Sequence, residues 1–312
     1  MRAAILRAYD ATPELGDFDE PVGSDGHETA EVLAAGLNPV DIRKAAAAFP
    51  LAPKPELPCV AGWEGIARLG DRRVYFADPP SPHGALAEKT LLDPSTVYDV
   101  PEGVDEGVAV SLGIAGLAGW LALEWSGKLR EGETVLVLGA SGTVGQVAVQ
   151  AAKLLGAGRV VAAGRDRAAL DRAAELGADA TVALGDADDL AEAFREAAGG
   201  GVDVTVDPLW GDPAVAAIKA ANRFARHVAL GQSAGIEATI GSPDVRNRAV
   251  SIVGHTGYAI PDEDRRAAYE RMVRHAAGGE LTADYERVAL DDAPEAWERL
   301  RSGPGTKLVV FP

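Results

Sequence analysis

Glycines at positions 139, 142 and 145 stand where an apolar run meets a segment with helical periodicity, in VLVLGASGTVGQVAVQ (135–150). Glycine at 142 lets the backbone approach a pyrophosphate without a Cβ clash, and glycine at 145 lets the helix pack closely on the strand. The start of the helix offers free N–H groups and the positive end of its dipole. The spacing predicts a dinucleotide-phosphate site, and the alternative is a tight turn without a ligand. The predicted phosphate-site residues are Ser141, Gly142, Thr143, Val144 and Gly145.

The end of the next strand-like run bears on which dinucleotide is bound. A carboxylate there would bind the ribose 2′-hydroxyl of NAD, but the tip is Gly164, followed by Arg165, Asp166 and Arg167. A guanidinium suits a 2′-phosphate because it donates paired hydrogen bonds. We therefore predict NADPH, contacted by Gly164, Arg165 and Arg167. The alternative is that both arginines are surface charges and Asp166 serves NAD.

The middle of the chain alternates strand-like and helical segments. Segments such as 144–155, 168–176 and 188–198 have one apolar face at helical spacing. Such alternation predicts a doubly wound parallel sheet of the Rossmann type, which we place at 113–255. The predicted strands are 134–139, 159–163, 180–184, 202–207, 226–231 and 250–254.

The two ends of the chain have a different pattern of apolar residues from the middle. The first hundred residues have short apolar runs rich in Pro and Gly, which predict a compact β-rich domain. The tail predicts a charged helix at about 262–277, a strand, a helix at about 292–302 and a last strand. The expected fold class is α/β, with 1–112 and 256–312 forming the β-rich domain.

Composition narrows the classes of partner. The 312 residues are 47% hydrophobic with a net charge of −17 and no basic stripe, so we expect no nucleic-acid partner. We see no run of about 18 apolar residues and no signal-peptide layout, and expect no membrane span. Cys59 is the one cysteine, which excludes a disulfide within the chain and fits a cytoplasmic location.

Six further stretches are informative when taken together: GLNPVDIRKA (36–45), LPCVAGWEGIARL (57–69), AGLAGWLAL (115–123), VDVTVDPLWG (202–211), HVALGQSAG (227–235) and GPGTKLVVFP (303–312). They resemble the medium-chain dehydrogenase/reductase superfamily, in its zinc-free quinone oxidoreductase-like branch. The resemblance implies a GroES-like catalytic domain with the cofactor domain inserted, a homodimer, and hydride transfer from NADPH to quinones or α,β-unsaturated carbonyls.

Metal chemistry is not expected from this resemblance. The zinc-dependent branch has Cys and His where this chain has Asn38 and Trp63. An amide is a poor zinc ligand and an indole has no lone pair to offer. Glu64 follows Trp63, and we interpret it as structural. Without a Lewis acid, conjugated acceptors are favoured because the charge they develop spreads to an oxygen that hydrogen bonds can stabilise.

The resemblance also implies site residues. Asn38 would lie near the nicotinamide ribose and Asp41 would orient the site, although a turn before Pro39 and a helix cap are the structural alternatives. Tyr258 or His255 could donate a proton or line the pocket, or be ordinary loop residues. Further cofactor contacts are predicted at Ala118 (a Thr in the family), Leu230, Gly231, Gln232 and Lys307, and substrate contacts at Phe49, Trp63 and His255.

Two other functions stay open at this point. One is a zinc-free carbonyl reductase or alcohol dehydrogenase of a biosynthetic pathway. The other is an NADPH-binding protein with little turnover, because Ala118 lacks the family hydroxyl and the loop after Asp41 lacks a tyrosine.

Overall fold

The computed structural model describes residues 1–24, 26–303 and 305–312, which form two compact units. The first unit comprises 1–114 with 269–312, and the second comprises 115–268. Contacts place 256–268 in the second unit, whereas our domain limits of 1–112 with 256–312 and 113–255 assign that segment to the tail. Those domain limits stay a prediction.

The first unit is built on β-strands, and within its described residues they form two sheets in the orders β2-β1-β4 and β15-β16-β3-β5-β6-β8, with β7 also paired to β3. Strand β16 runs antiparallel to β3, so the end of the chain completes the sheet of the N-terminal part. The strands are β1 (Arg2–Leu6), β2 (Glu14–Asp17), β3 (Glu28–Gly36), β4 (Cys59–Val60), β5 (Glu64–Leu69), β6 (Arg72–Ala77), β7 (Lys89–Leu92), β8 (Tyr98–Asp99), β15 (Tyr285–Ala289) and β16 (Lys307–Phe311).

Apolar faces of these strands make the core of the first unit. Trp297 on the last helix is fully buried there with Leu308 of β16 and Leu37 after β3. Its burial removes a large apolar surface from water and fastens the tail to the unit. The helices in or entering this unit are α1 (Pro39–Ala45), α2 (Glu106–Ser111), α9 (Asp262–Ala277) and α10 (Ala293–Ser302).

The second unit carries the predicted parallel sheet. The strands lie side by side in the order β11-β10-β9-β12-β13-β14. From β9 to β11 the chain adds strands toward one edge of the sheet, and from β12 to β14 it adds them toward the other edge. The boundary between β9 and β12 is therefore the switch point of a doubly wound fold. The strands are β9 (Thr134–Leu138), β10 (Arg159–Gly164), β11 (Ala180–Ala183), β12 (Val202–Asp207), β13 (Ala221–Ala229) and β14 (Ser251–Gly254), and the helices are α3 (Leu117–Leu121), α4 (Thr143–Leu154), α5 (Arg167–Glu175), α6 (Leu190–Ala198), α7 (Gly211–Ala220) and α8 (Ser242–Arg246).

The α/β fold class predicted from periodicity is confirmed, and the largest difference from the predicted strand bounds is at the start of β13. Strand β13 begins at Ala221, five residues before the predicted start at position 226. Val202 pairs with Ala221, and the register then shifts before Val204 pairs with Arg226. The left-handed Phe224 lies in this irregular stretch. A bulge of this kind interrupts the alternation on which the sequence prediction rested.

The helical segment Glu106–Ser126 is long and apolar enough to cross a membrane by length and composition. The expectation that no apolar stretch of about 18 residues occurs does not hold for these residues by this measure, whereas the expectation of no membrane span stays a prediction. About 72% of the apolar window is buried inside the protein, as is typical of the core helix of a soluble protein. Two π-type turns, Leu112–Gly116 and Ala122–Ser126, alternate in this segment with α2 and α3.

Candidate functional site

The glycine turn joins β9 to α4 in the second unit, and the protein itself requires Gly145 there. A Cβ at this position would overlap the Gly139 carbonyl oxygen and lie 2.5 Å from Ala140 Cα. Both are backbone atoms that no side-chain rotation can move. The close approach of helix to strand that the sequence predicted is therefore present at Gly145.

Gly142 has no such packing constraint. It precedes α4 with a φ of −87°, which any residue adopts, and the nearest atom to an added Cβ is the Gly139 carbonyl oxygen at 3.8 Å. The N-cap residue Gly142 has no side chain that could cap α4, so the amides of the first turn are left for another acceptor. An open backbone before uncapped helix amides fits a pyrophosphate, whose oxygens would take the space that a Cβ fills.

Loops from β12 and β13 lie beside this turn. A Cβ on Gly139 would lie 3.1 Å from Leu209 Cδ2, so the turn and the loop after β12 touch. Leu230 donates its backbone N–H to the Asp207 carbonyl at 2.9 Å, and Ala234 donates to the Leu209 carbonyl at 2.8 Å. The structure thus places Leu230, with Gly231 and Gln232 after it, at the same edge of the sheet as the glycine turn.

Asp207 holds the loop after β12 in shape. Its Oδ1 accepts the backbone N–H groups of Leu209 and Trp210, both at 2.8 Å. Its Oδ2 lies 2.7 Å from Nε2 of the buried His227. Trp210 has a φ of +58°, a conformation that costs a non-glycine residue about 1–3 kcal/mol. The sequence analysis did not predict this role of Asp207, although an acidic residue between a strand and Pro208 is typical of a turn that a side chain stabilises.

The residues after β10 that were predicted to bind the ribose differ in the contacts that their side chains make within the protein. Asp166 Oδ1 accepts the Ala169 backbone N–H at 3.1 Å, so this carboxylate caps α5. Arg167 forms an exposed ion pair with Asp186. Arg165 is exposed, and among the described residues no ion pair engages it. Within the described part of the chain, a cation that no ion pair engages is therefore present where a 2′-phosphate was predicted.

Three further predicted residues lie elsewhere in the second unit. Ala118 lies on α3, which packs along α4. His255 Nδ1 is 2.9 Å from Ser126 Oγ, and burial lowers the pKa of this imidazole to about 4, so it is neutral at pH 7. Tyr258 is 42% exposed in the short turn Gly257–Ala259. Nothing in the spacing indicated Ser126, which lies 129 residues from His255.

Asn38 and Asp41 come together in the first unit, at the start of α1. The Asn38 backbone N–H donates to Asp41 Oδ2 at 2.8 Å, a bond that caps the helix. Asn38 is 4% exposed and Asp41 is fully buried. The capping contact weighed from the sequence is therefore present, while a catalytic role for Asp41 stays a prediction.

Glu64 is the centre of a buried polar network in this unit. Its Oε1 accepts from Asn38 Nδ2 at 2.6 Å and from Lys307 Nζ at 2.7 Å. Its Oε2 accepts from the Tyr75 hydroxyl at 3.1 Å and the Ile114 backbone N–H at 2.7 Å. These four donors fill the hydrogen-bonding capacity of a carboxylate. The sequence suggested a structural Glu64 but gave no sign of these distant partners.

Lys307 lies in the same network rather than on a surface. Its ammonium also donates to Asn38 Oδ1 at 2.7 Å, and the residue is 4% exposed. The predicted cofactor contact of Lys307 thus competes with two protein acceptors. A lysine inside the apolar run KLVVF was the visible signal of a buried charge.

The predicted pocket residues Phe49 and Trp63 each lie near a cation of α1. The Arg43 guanidinium is 5.4 Å from the Phe49 ring centroid, and the Lys44 ammonium is 5.7 Å from that of Trp63. Lys44 is buried and also pairs with Asp78. Both aromatic rings are partly buried, and a role in substrate binding stays a prediction.

No cluster of three or more His, Cys, Asp or Glu side chains that could hold a metal ion occurs in the part of the chain that the structure describes. Asn38 uses both ends of its amide on Glu64 and Lys307. The two positions compared with zinc ligands thus hold an engaged amide and an indole.

Comparisons with known proteins agree with this architecture. Residues 143–276 match the family model described as zinc-binding dehydrogenase. The quinone oxidoreductase of Thermus thermophilus, solved alone and with NADPH, is 25% identical with a TM-score of 0.82, and the alignment covers all of both chains. An NAD-dependent alcohol dehydrogenase is also 25% identical with a TM-score of 0.88, again over all of both chains. These likenesses indicate the medium-chain dehydrogenase/reductase superfamily, in its quinone oxidoreductase-like branch.

Two curated proteins are similar to this chain over only part of their own length. The 2-methylene-furan-3-one reductase of Solanum lycopersicum is 30% identical over 169 residues, which are 49% of this chain and 43% of the relative. A phenolphthiocerol/phthiocerol polyketide synthase polypeptide of Mycobacterium tuberculosis is 28% identical over 294 residues, 90% of this chain but 13% of that protein. The chain therefore spans less than half of either relative.

Burial of Asp41 predicts a pH-dependent stability. Burial raises the pKa of this carboxyl from 3.8 to about 7, although Lys44 and the Asn38 N–H partly offset the effect. Because the folded state retains the proton longer than the unfolded state, the stabilisation is complete below pH 3.8 and is lost as pH rises through about 7.

We expect Asp41→Asn, which keeps an oxygen acceptor for the cap, to abolish this slope. Urea unfolding of both proteins across this pH range measures it, and the variant should gain stability relative to the wild type as pH rises. A difference between the two proteins that stays constant from acid to neutral pH would contradict the assignment.

Proposed function

We propose that this protein is a zinc-independent, NADPH-dependent reductase that transfers hydride to quinones or α,β-unsaturated carbonyls. The observation that carries the proposal is the open backbone at Gly142 before the uncapped first turn of α4. Support comes from the similar quinone oxidoreductase of Thermus thermophilus, which was solved with NADPH. The tomato relative, named as a reductase of a methylene-furanone, supports an enone as acceptor.

The residues proposed to hold the cofactor lie in the second unit. Amides of the Gly142–Gly145 segment would bind the pyrophosphate, and Arg165 beside Gly164 would bind the 2′-phosphate. Arg167 would assist only by exchanging its ion pair with Asp186 for the phosphate. Ala118 and the segment 230–232 would contact the nicotinamide half. NADPH, when bound, supplies the hydride.

Conjugated acceptors suit the groups that this chain offers. Polar hydrogen-bond donors without a Lewis acid stabilise a charge that spreads over a quinone or enone better than one localised on a simple carbonyl oxygen. Asn38 is the donor that we propose at the nicotinamide ribose, with Asp41 orienting it through the helix cap. Phe49, Trp63 and His255 would line the acceptor pocket.

Tyr258 is the proton donor that we propose, because a phenol is a donor at neutral pH and this side chain is accessible. His255 is neutral at pH 7 because burial lowers its pKa to about 4, so it would line the pocket without supplying charge.

The alternative within the enzyme class is a zinc-free alcohol dehydrogenase or carbonyl reductase. Similarity to an NAD-dependent alcohol dehydrogenase favours it.

We further propose a cytoplasmic homodimer that pairs through β14, the edge strand of the parallel sheet, whose Ile252 is 41% exposed. The mass measured by sedimentation equilibrium tests the dimer.

Turnover distinguishes these functions. Purified protein should oxidise NADPH with 1,4-benzoquinone, 9,10-phenanthrenequinone or an enone, and dialysis against a chelator should leave the rate unchanged because no metal takes part. Loss of NADPH absorbance measures the rate. Oxidation of alcohols alone would support the alternative enzyme, and tight NADPH binding without turnover on any acceptor would indicate a binding protein.

Arg165→Ala should weaken NADPH binding roughly 10- to 100-fold and leave NADH binding almost unchanged, because one charge-assisted contact is worth about 1.5–3 kcal/mol. Calorimetric titration with each nucleotide measures this. Arg167→Ala is the matched control, and it should have the smaller effect because Asp186 already engages that guanidinium. Equal losses for both nucleotides on Arg165→Ala would refute the 2′-phosphate assignment.

Gly142→Ala and Gly145→Ala should separate cofactor binding from folding. At 142 a methyl group meets no closer protein atom than 3.8 Å, so urea unfolding should change little while NADPH binding weakens about tenfold or more. At 145 the methyl group meets backbone, which should lower the free energy of unfolding by about 1–3 kcal/mol. Unchanged NADPH affinity in Gly142→Ala would show that the phosphate binds elsewhere.

A further inference from the structure

Asn38, Glu64 and Lys307 form a closed ring of hydrogen bonds in the first unit. Lys307 Nζ donates to Asn38 Oδ1 at 2.7 Å, and Asn38 Nδ2 donates to Glu64 Oε1 at 2.6 Å. A bond of 2.7 Å from Lys307 Nζ to the same Glu64 oxygen closes the ring. All three residues are at least 96% buried.

The chemistry of the two charged groups determines which way the Asn38 amide faces. An ammonium can only donate, so the amide oxygen must face Lys307. A carboxylate can only accept, so the amide N–H must face Glu64, whose other oxygen accepts from Tyr75 and Ile114. Reversing the amide would place oxygen against carboxylate and N–H against ammonium, leaving both buried charges unsatisfied.

The surrounding backbone leaves the ring little room to rearrange. A Cβ on Gly36 would lie 2.5 Å from Glu64 Oε1 and 3.0 Å from Lys307 Nζ. The Tyr75 ring, whose hydroxyl binds Glu64, stacks on Tyr269 with centroids 4.6 Å apart. The carboxylate is therefore held on the side of the backbone and on the side of Tyr75.

One hydrogen of the Asn38 amide is left over. Nδ2 carries two hydrogens, and in the part of the chain that the structure describes only Glu64 accepts one of them. The amide oxygen is directed to Lys307. Whatever meets the free edge of this amide thus encounters a fixed N–H donor.

We propose that Glu64 and Lys307 are positioning residues that fix the Asn38 amide as a hydrogen-bond donor to an oxygen of the bound cofactor or acceptor, such as a ribose hydroxyl or a carbonyl. The inference rests on the proposed reductase function and deepens it. It reassigns Lys307 from a direct cofactor contact to a residue that acts through Asn38. Neither charged group needs to touch the reacting atoms.

The test is the double variant Glu64→Gln/Lys307→Met, which removes both buried charges together and lets the Asn38 amide face either way. We expect kcat with NADPH and 1,4-benzoquinone to fall roughly 10- to 100-fold, because small misplacements of a reacting partner carry penalties of that size. The Kd for NADPH and the urea midpoint should change far less. The control Arg73→Met/Glu106→Gln neutralises another ion pair of this unit and should leave kcat unchanged.

Combining the variants tests whether the loss of kcat in Glu64→Gln/Lys307→Met arises through Asn38. If the pair acts only through Asn38, adding Asn38→Ala to the double variant should lower kcat no further than Asn38→Ala does alone. Multiplicative losses would overturn the proposal, as would a double variant with wild-type kcat. Failure of the wild type to bind NADPH would instead overturn the proposed function and this inference with it.

If the double variant does not fold, a measurement on the wild-type protein can still test the proposal. The chain has three asparagines, Asn38, Asn222 and Asn247, so selective ¹⁵N-Asn labelling yields three side-chain amide pairs. Loss of one pair in Asn38→Ala assigns it. That pair should shift on NADPH or acceptor-analogue binding, and an unshifted pair at saturating amounts of both would overturn the proposal.

Discussion

The hydrogen-bond network around the Glu64 carboxylate is the constraint that fixes how several segments of the first unit are arranged. It lies at the start of β5 and binds the loop before α1 through Asn38, β16 through Lys307 and β6 through Tyr75. A charge fully removed from water is tolerable only when every lone pair is satisfied, and here four donors do so. Removing one partner of such a buried pair typically costs about 3–5 kcal/mol, so the network holds chain segments more than 240 residues apart in one arrangement.

In the second unit, the arrangement of the candidate site depends on the close approach of backbone segments rather than on buried charges. Gly145 lets α4 lie against the turn after β9, and the same turn touches the loop after β12 at Leu209. Asp207 keeps that loop in place with two backbone hydrogen bonds and thereby holds Trp210 in a left-handed conformation. Strain of this kind persists where surrounding contacts over-determine it, and it occurs here at the carboxyl edge of the sheet, where α/β folds bind ligands.

The two units use different means for different parts of the proposed chemistry. Open amides, and an arginine that no ion pair engages among the residues described, are suited to an anion whose position is set by helix and strand geometry. A locked amide is suited to a neutral oxygen whose hydrogen bond must point in one direction. The net charge of −17 makes such local donors necessary, because the field of the whole protein does not attract a phosphate.

The sequence by itself determined the order of the parallel-sheet strands, the approximate bounds of those strands and of the helices at 144–155, 168–176 and 188–198, and the glycine turn. These follow from apolar periodicity and from glycines whose role is local, and such signals lie within a few residues of one another. Where a bulge interrupts that periodicity, at the start of β13, the prediction was five residues late. Only the tertiary structure decided which polar groups meet: Glu64 with Lys307, Asp207 with His227, and Ser126 with His255. Those partners lie from 20 to 243 residues apart, and no local pattern records a hydrogen bond that exists only once distant strands have paired.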